Sequence, residues 1–354
     1  MRLVSPLLKR VIYPGLARSG YLRRRCTLAP LVLTYHGILP ESYPGIDPKL
    51  DGNLVSLSAF RQQLRFLKTH YNVIAPREFA AWCEGKDPLP ERSVLLTCDD
   101  GLRSCIDYMI PALREEKLTC LFFITGASLQ SAPAMLWHEQ LYLALANTPL
   151  PFRACLDKPP FQLFVQNGRE LSRVHWELLL YLSQFSEKTR RSVNREIGGQ
   201  LKFDLEEAVG SAQHRARFLV MNEAELSELA RAGMEIGAHT TSHLALSHMP
   251  EQLAAHEIAE NRAALQRLTG QQIWALAYPF GTPASAGSRE YQIAEAAGFT
   301  CAFTNCEGSA AYKFALPRIH ITREMDLSEL EAHLSGLHYS LQNFPGRRVG
   351  GLWN

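Results

Sequence analysis

Two adjacent carboxylates follow a short apolar run in this chain, and their chemistry is that of a hydrolytic site. The run 93–97 (SVLLT) is apolar and β-branched, which predicts a buried strand that ends at Asp99, Asp100 and Gly101. Because successive residues of an extended chain point in opposite directions, Asp99 and Asp100 cannot share one task. One carboxylate is suited to binding a metal ion and the other to facing the reacting atom. The alternative interpretation is an ordinary Asp-Asp-Gly turn.

Two histidines four residues apart provide complementary ligands. His239 and His243 follow the strand-like run 234–238, and their spacing brings both imidazoles to one side of a single turn. Neutral imidazole nitrogens are common ligands of divalent cations. Together with one aspartate they leave coordination positions open for water and substrate, as catalytic metal sites do. A turn with two solvated imidazoles is the alternative.

A third segment, 275–281 (ALAYPFG), is an apolar strand interrupted by proline and glycine, where a backbone N–H can face a bound ligand. With this segment the chain resembles the polysaccharide deacetylase family, which is also called the NodB-homology family or carbohydrate esterase family 4. The resemblance includes 34–38 (TYHGI) and 316–320 (LPRIH), and the motifs occur in the family's order. It covers two blocks of the chain, residues 30–125 and 218–325.

The resemblance implies a role for each of several residues. It makes Asp99 the catalytic base, and it makes Asp100, His239 and His243 the ligands of one divalent metal ion. The ligand types favour Zn²⁺, with Co²⁺, Ni²⁺ and Mn²⁺ as alternatives. In this scheme the base deprotonates a water that attacks the amide carbon, and the backbone N–H of Phe280 stabilises the oxyanion.

The resemblance also implies a general acid and a partner for the base. His320 is the candidate acid, because the family has a histidine near the last motif; a strand-end histidine bonded to the backbone is the alternative. Family members often carry an arginine where this chain has Ala277, and we expect Arg318 to replace it beside Asp99. Without such a partner, the pKa of Asp99 would be raised beside Asp100.

His36 and Tyr278 are the candidate substrate-binding residues. His36 follows the predicted strand 31–35, where it would contact substrate or brace a metal ligand; closing the first loop by a hydrogen bond is the alternative. Tyr278 belongs to the third motif. The remaining histidines, His138 among them, lie in helical or loop contexts, and we interpret them as surface or packing residues.

Strand and helix signals alternate along the chain, which predicts an α/β fold with parallel strands and outer helices. The resemblance implies a distorted, incomplete (β/α) barrel of about seven strands with a mostly helical insertion. We expect the insertion because roughly ninety residues separate two barrel strands that a short connection would join. The predicted division is a basic N-terminal arm (1–28), the first half of the barrel (29–125), the helical insertion (126–217), the second half of the barrel (218–340) and a loose C-terminal tail (341–354).

Within these segments the periodicity predicts particular elements. The insertion is expected to contain helices over 136–146 and 171–185, separated by the proline-rich connection 149–160. In the barrel, 102–116 is expected to form one helix with a bend at Pro111. Aromatic side chains of the insertion would form either a sugar-stacking wall or the insertion's own core: Trp137, Tyr142, Phe152, Phe161 and Trp176.

Composition limits the classes of protein that remain. The chain has 354 residues, of which 46% are hydrophobic, and a formal net charge of +2, which argues against a dedicated nucleic-acid binder. Its eight cysteines form no CxxC pair, which favours reduced thiols and a cytoplasmic location. Residues 1–25 are basic and lack acidic residues, and because Pro6, Pro14 and Gly15 interrupt their apolar pattern we do not expect a secretory signal there. Peripheral contact with an anionic membrane at its inner face is one expectation for them, and packing on the barrel is the other.

These expectations favour a metal-dependent hydrolase that removes N-acetyl groups from an N-acetylated sugar in a polysaccharide, an oligosaccharide or a lipid-linked glycan. One alternative is a catalytically silent glycan-binding barrel, motivated by Ala277 and by the lack of a recognisable fourth family motif. The other is a hydrolase of a small non-sugar amide. The carboxylates and histidines favour an enzyme, because a binding module has little use for an open metal site beside a base. The sequence specifies neither the sugar nor the oligomeric state.

Overall fold

The computed structural model describes residues 6–25, 30–43, 45, 51–131, 134–158, 160–308 and 312–343. The expectation for most of the tail, 344–354, lies outside these residues. In the described part of the chain there are fourteen strands: β1 (Leu31–Tyr35), β2 (Gly37–Leu39), β3 (Leu54–Ser56), β4 (Asn72–Ile74), β5 (Ser93–Cys98), β6 (Leu121–Ile124), β7 (Ala134–Met135), β8 (Phe152–Asp157), β9 (Pro160–Val165), β10 (Leu219–Val220), β11 (Glu235–Ala238), β12 (Ala275–Ala277), β13 (Cys301–Phe303) and β14 (Ile319–His320).

The same residues form fifteen α-helices, most of which follow a strand of the sheet or belong to the insertion. They are α1 (Tyr13–Arg18), α2 (Tyr21–Arg24), α3 (Leu57–His70), α4 (Pro76–Cys83), α5 (Ile110–Glu115), α6 (Trp137–Ala146), α7 (Gly168–Leu182), α8 (Glu187–Leu201), α9 (Leu205–Ala208), α10 (Ala212–Phe218), α11 (Glu223–Arg231), α12 (Glu251–Thr269), α13 (Ser288–Ala296), α14 (Leu327–Leu334) and α15 (Leu337–Gln342).

The main sheet is parallel at every pairing and is curled into an open half-barrel. Seven strands form its path in the order β13-β12-β11-β6-β5-β1-β14, and β4 pairs beside the first residues of β5. The prediction of a distorted, incomplete (β/α) barrel of about seven strands is therefore confirmed.

Both faces of the sheet are covered, which explains why its strands read as continuous apolar runs. Strand alternation divides their side chains between two cores. Leu33, Val94 and Leu96 pack toward the surrounding helices, whereas Val32 and Leu95 face the interior of the half-barrel. Because all the strands are parallel, the residues that follow them collect at one edge of the sheet.

One predicted barrel helix begins later than expected. The segment predicted as a single helix over 102–116 forms a π-helical turn, Cys105–Met109, followed by α5. Pro111 lies at the start of α5, where its missing N–H would break an ordinary helical ladder. The wider turn immediately before it accommodates that loss.

The insertion contains more regular structure than the sequence indicated. The helices expected over 136–146 and 171–185 are α6 and α7. Strands β8 and β9 form an antiparallel hairpin where an irregular connection was expected, and every second residue of β8 is buried. Helix α8 was missed because its sequence is polar and contains two adjacent glycines.

The insertion has a hydrophobic core of its own, distinct from those of the half-barrel. Tyr142 and Phe152 are buried in that core, and Trp137 and Phe161 pack against it. Of the five aromatic residues considered for a sugar-stacking wall, these four are therefore part of the insertion's core or its edge. Trp176 instead packs against Phe280 of the barrel, with ring centroids 5.4 Å apart.

The N-terminal arm, as far as residues 6–25 describe it, packs on α14. Tyr13 and Leu22 are buried against Ala332, and two ion pairs of 2.9 Å, Lys9–Glu329 and Arg23–Glu331, join the arm to the same helix. No described helix is both long and apolar enough to cross a membrane. The described cysteines are all free thiols.

Candidate active site

Asp100, His239 and His243 meet where β5 and β11 end. Asp100 Oδ1 lies 3.4 Å from His239 Nε2 and 3.2 Å from His243 Nε2. The three potential ligand atoms all lie within 4.8 Å of one another. Asp100 and His243 have left-handed backbones, with φ of 73° and 50°, and both residue types tolerate this conformation better than most. The structure thus brings together the three residues proposed from the sequence as metal ligands.

The hydrogen bonding of His239 shows that these residues fit a cation. His239 Nδ1 lies 2.7 Å from the carbonyl oxygen of Ala277, which only accepts hydrogen bonds, so Nδ1 carries a proton. In the neutral imidazole, Nε2 then presents a lone pair toward the Asp100 carboxylate. Two electron-rich atoms in this position suit a cation between them, and metal-bound histidines commonly donate their other N–H to a carbonyl. A divalent ion such as Zn²⁺ suits this set of donors.

Asp99 lies beside these residues and forms a bidentate ion pair with Arg318. The Nη1–Oδ1 and Nη2–Oδ2 distances are 2.7 and 2.6 Å. The side chains of Arg318 and Asp99 are only 0% and 4% exposed, respectively. Arg318 Nε also donates to the carbonyl of Thr304. Burial acts to raise the pKa of Asp99, but Arg318 and His239 together lower it below its ordinary value. Asp99 is therefore ionised and held in one orientation, as a general base requires.

His320 and His36 are the remaining candidate site histidines, and they differ in whether their ring nitrogens have hydrogen-bond partners. His320 has partners at both ring nitrogens: Asn305 at 3.0 Å from Nδ1 and Asn53 Oδ1 at 3.0 Å from Nε2. Burial, with His36 and Arg318, lowers the pKa of His320 to about 3. The ring of His36 lies 4.9 Å from that of His320. In the described residues, the buried Nδ1 of His36 has no hydrogen-bond partner.

Phe280 reaches the site, but Tyr278 does not. Phe280 has a left-handed backbone (φ 61°), and its ring centroid lies 4.7 Å from that of His243. Tyr278 is 1% exposed, and its hydroxyl donates to the carbonyl of Phe314 at 3.0 Å. The expectation that the Tyr278 side chain contacts substrate is wrong, because strand alternation directs it into the core between the sheet and the helices.

His138, which we expected to be a surface or packing residue, lies at the site. Its ring centroid is 4.7 Å from that of His243 and 5.4 Å from that of Phe280. Its Nε2 is buried and has no partner among the described residues, and its carbonyl accepts a hydrogen bond from His175 Nε2 at 3.0 Å. No sequence signal connects His138 with His243, because only the folding of the insertion onto the barrel brings them together.

A cavity of about 790 Å³ lies between the insertion and the loop that carries His243. Helices α6 and α8 contribute polar side chains to its wall, including Gln140, Arg190 and Asn194, and Ser242 and His243 border it on the barrel side. Its size is within the usual range for small-ligand sites. Amide and guanidinium groups suit the hydroxyl groups of a sugar.

A second cluster of potential metal ligands, away from this site, does not have the geometry to hold an ion. Glu307 Oε1 lies 2.6 Å from His333 Nδ1, and the rings of His333 and His338 are stacked, with centroids 3.8 Å and planes 22° apart. Imidazole lone pairs lie in the ring plane, so two nearly parallel stacked rings cannot both point at one ion between them. His338 Nδ1 is instead hydrogen-bonded to the hydroxyl of Tyr13 at 2.9 Å.

Comparisons with known proteins agree with this fold. Residues 208–302 match the family model for polysaccharide deacetylase. A Bacillus subtilis (strain 168) protein assigned by name to the polysaccharide deacetylases is 24% identical over 138 residues, which is 38% of this chain and 46% of that protein. The chain therefore spans less than half the length of this curated relative.

Three solved structures share the fold over most of this chain. They are the Streptococcus pyogenes deacetylase PplD in complex with acetate (TM-score 0.52, 18% identity, 86% of this chain and 97% of that chain), IcaB from Ammonifex degensii (0.53, 18%, 88% and 98%), and a polysaccharide deacetylase from Bacillus cereus (0.52, 14%, 86% and 68%).

Fold and site together define the class: an open (β/α) half-barrel with a candidate metal centre and a paired aspartate at the carboxyl ends of its strands. Within that class, the resemblance to the polysaccharide deacetylase family, also called the NodB-homology family or carbohydrate esterase family 4, is confirmed.

Proposed function

We propose that this chain is a metal-dependent hydrolase that removes N-acetyl groups from an N-acetylated sugar in a polysaccharide, an oligosaccharide or a lipid-linked glycan. The observation that carries the proposal is the joint position of the Asp100, His239 and His243 cluster and the paired Asp99 at one edge of a polysaccharide deacetylase fold. A silent glycan-binding barrel is disfavoured, because Arg318 supplies the guanidinium whose absence at Ala277 motivated that alternative.

In the proposed mechanism, Asp100, His239 and His243 hold one divalent cation, for which Zn²⁺ is favoured and Co²⁺, Ni²⁺ and Mn²⁺ are alternatives. Such an ion lowers the pKa of water and polarises an amide carbonyl. Asp99 accepts the proton of the attacking water, and the guanidinium beside it keeps the carboxylate ionised and oriented. We assign the oxyanion contact to the backbone N–H of Phe280, as the family resemblance implies.

The departing amine must receive a proton, and we assign that step to His36 instead of His320. Both ring nitrogens of His320 are engaged by asparagine side chains, and its pKa of about 3 keeps it unprotonated at neutral pH. His36 has a ring nitrogen without a partner in the described structure. Burial lowers the pKa of His36 as well, although Asp100 and Asp99 act to raise it, so the ring nitrogen without a partner is the feature that distinguishes His36 from His320. We keep substrate contact as a second role for His36.

The substrate class is supported by the cavity beside the His243 loop, whose wall includes Trp137, and by the half-buried Trp176, whose ring packs against Phe280. A wall that combines apolar and aromatic side chains with amide and guanidinium groups suits both the ring face and the hydroxyl groups of a pyranose. Hydrolysis of a small non-sugar amide is the alternative for the same cluster of residues.

Metal content and acetate release test the proposal. We expect about one divalent ion per wild-type chain after dialysis with Zn²⁺, and little in Asp100→Ala. Asp99→Asn should retain the metal and lose about 10²–10⁴-fold in acetate release from N-acetylglucosamine oligosaccharides. The control is Asp157→Ala, which changes an exposed aspartate of the β8–β9 hairpin and should match the wild type.

Three outcomes would each contradict a different part of the proposal: the metal, the base or the acid. A wild-type chain that binds no divalent ion would overturn the metal-dependent mechanism. Equal acetate release by Asp99→Asn would remove the base from its role. The same assay compares His36→Gln with His320→Gln, and a larger loss in the second variant would return the acid role to His320.

We also propose that the arm 6–25 contacts an anionic membrane surface through the face that does not pack on α14. Leu7 and Val11 are each 60% exposed and Tyr21 is 43% exposed, and the exposed Arg10 and Arg18 lie among them. Exposed apolar side chains beside arginines, in a segment without acidic residues, suit the interface of an anionic bilayer.

Vesicle co-sedimentation tests the membrane proposal. The protein should bind vesicles that contain phosphatidylglycerol more strongly than vesicles of phosphatidylcholine alone, and Leu7→Glu/Val11→Glu should weaken the binding by about tenfold. Leu253→Glu changes another exposed leucine, on α12, and should have no effect. Binding that is independent of the anionic lipid, or unchanged in the double variant, would refute the membrane contact.

A further inference from the structure

The loop that carries His243 is held by a residue of the insertion. The indole Nε1 of Trp137, at the start of α6, lies 3.1 Å from the carbonyl oxygen of Ser242 and 3.2 Å from that of His243. One N–H therefore donates to two consecutive carbonyls, one of which belongs to a proposed metal ligand. Trp137 and His243 are 106 positions apart in the chain.

This loop needs external contacts to keep its conformation. Thr240 has φ of 62° and His243 has φ of 50°, and a β-branched residue such as Thr240 rarely adopts a left-handed backbone. On the barrel side, Gly126 N–H donates to the Thr240 carbonyl at 3.0 Å, and Ser242 N–H donates to Glu257 at 2.7 Å. Among the described residues, the carbonyl of His243 is held from the insertion side by Trp137.

Trp137 is itself fixed by another helix of the insertion. Asn194 Nδ2 donates to the Trp137 carbonyl at 2.8 Å, and the Arg190 guanidinium lies over the indole ring, 5.6 Å from its centroid. Both residues belong to α8. The next residue, His138, places its ring against that of His243. The backbone and the ring of this ligand are thus both in contact with the insertion.

We propose that Trp137 is a positioning residue of the metal site: its indole N–H fixes the direction of the His243 imidazole, so that the insertion sets the affinity of the site for the ion. The inference rests on the proposed function, because it requires Asp100, His239 and His243 to bind a cation. Its physical basis is that a ligand binds a metal tightly only when contacts behind it hold its orientation.

The test removes the indole N–H alone. Trp137 is replaced by 3-benzothienylalanine, which substitutes sulfur for the N–H in a ring of similar shape, and in parallel by Trp137→Phe. We expect the dissociation constants for Zn²⁺ and Co²⁺ to rise about 10–100-fold, and the visible absorption of bound Co²⁺ to change. Trp274→Phe is the matched control, because it removes another indole hydrogen bond, to Glu235 at 3.0 Å, at the amino-terminal end of β12.

The outcomes separate this inference from the proposed function. If the wild type binds one ion and the benzothienylalanine protein binds it equally well, Trp137 does not position the ligand and the inference is wrong. If the wild type binds no ion, the proposed function fails and the inference falls with it. An equal loss of metal affinity in Trp274→Phe would show a general effect of destabilisation and would also overturn the inference.

Discussion

At the scale of single residues, the pairing of Asp99 with Arg318 is the contact on which the proposed chemistry most depends. The guanidinium comes from the segment before β14, whereas the resemblance places an arginine at Ala277 on β12. The carbonyl of Ala277 accepts the hydrogen bond that fixes His239. Two different strands of a barrel can supply the same charge to one carboxylate, because the carboxyl ends of all the strands converge at its mouth.

Removal of this guanidinium should destabilise the protein in a pH-dependent way. Arg318→Gln leaves the Asp99 carboxylate buried without its cation, and the free energy of unfolding at neutral pH should fall by about 3–5 kcal/mol. In the variant the pKa of Asp99 is raised, so the deficit relative to the wild type is present above that pKa. The deficit shrinks as the pH falls through it and the carboxyl becomes protonated. Urea unfolding at several pH values measures the difference.

The double variant Asp99→Asn/Arg318→Gln is the control, because it replaces the ion pair with two neutral amides and should recover much of the lost stability. If Arg318→Gln were as stable as the wild type at neutral pH, the pair would have no role in holding Asp99 ionised.

At the scale of elements, the geometry of the site depends on a close approach between the end of β6 and the loop after β11. Gly126 follows β6, and its N–H donates to the carbonyl of Thr240 at 3.0 Å. A Cβ atom at Gly126 would overlap the backbone of Thr241. The role of Gly126 is therefore steric: without a Cβ atom, its backbone can contact the backbone of Thr240 and Thr241, shortly before the proposed ligand His243.

Gly126→Ala should separate these two elements. We expect the free energy of unfolding to fall by about 1–3 kcal/mol because of the overlap with the Thr241 backbone, and metal affinity to fall with it. Gly168→Ala is the matched control, because a Cβ at Gly168, the first residue of α7, meets nothing within 4 Å and should be neutral or slightly stabilising. Urea unfolding and metal titration measure both. Equal results for the two variants would show that the loop does not need this approach.

At the scale of the whole molecule, a buried ion network joins the first half of the barrel to the insertion. Arg217 pairs with Asp51 at 2.8 Å and with Glu139 at 3.0 Å, and all three side chains are buried. The insertion also has its own hydrophobic core. On this basis we propose that residues 126–217 form an insertion that folds around its own core. The insertion contacts the barrel both through this ion network and through apolar side chains such as Leu136, which packs with Leu102 and Val220.

Much of the fold and of the candidate site could be predicted from sequence, because the relevant signals are short-range. An apolar strand that ends in polar residues can be recognised from ten or fewer consecutive residues, as in 93–100 and 234–243. Helix signals of the same kind occur in α12, which ends at Gly270, and in α11, which begins with a capping box. The apolar pattern of 314–319 is typical of a longer strand than β14, but in this stretch the described chain forms a single bridge, from Leu316 to Phe303, before the strand begins.

The amino-acid sequence by itself determined the alternation of strands and helices in the barrel and the chemical types that the strand ends carry: two adjacent carboxylates, a histidine pair and a distant arginine. The tertiary structure alone decided that Arg318 reaches Asp99, that both nitrogens of His320 are occupied, that Tyr278 points into the core, and that Trp137 and His138 lie against His243. These contacts join residues that are far apart in the chain. They depend on strand register, on side-chain direction and on how the insertion packs, none of which leaves a local pattern in the sequence.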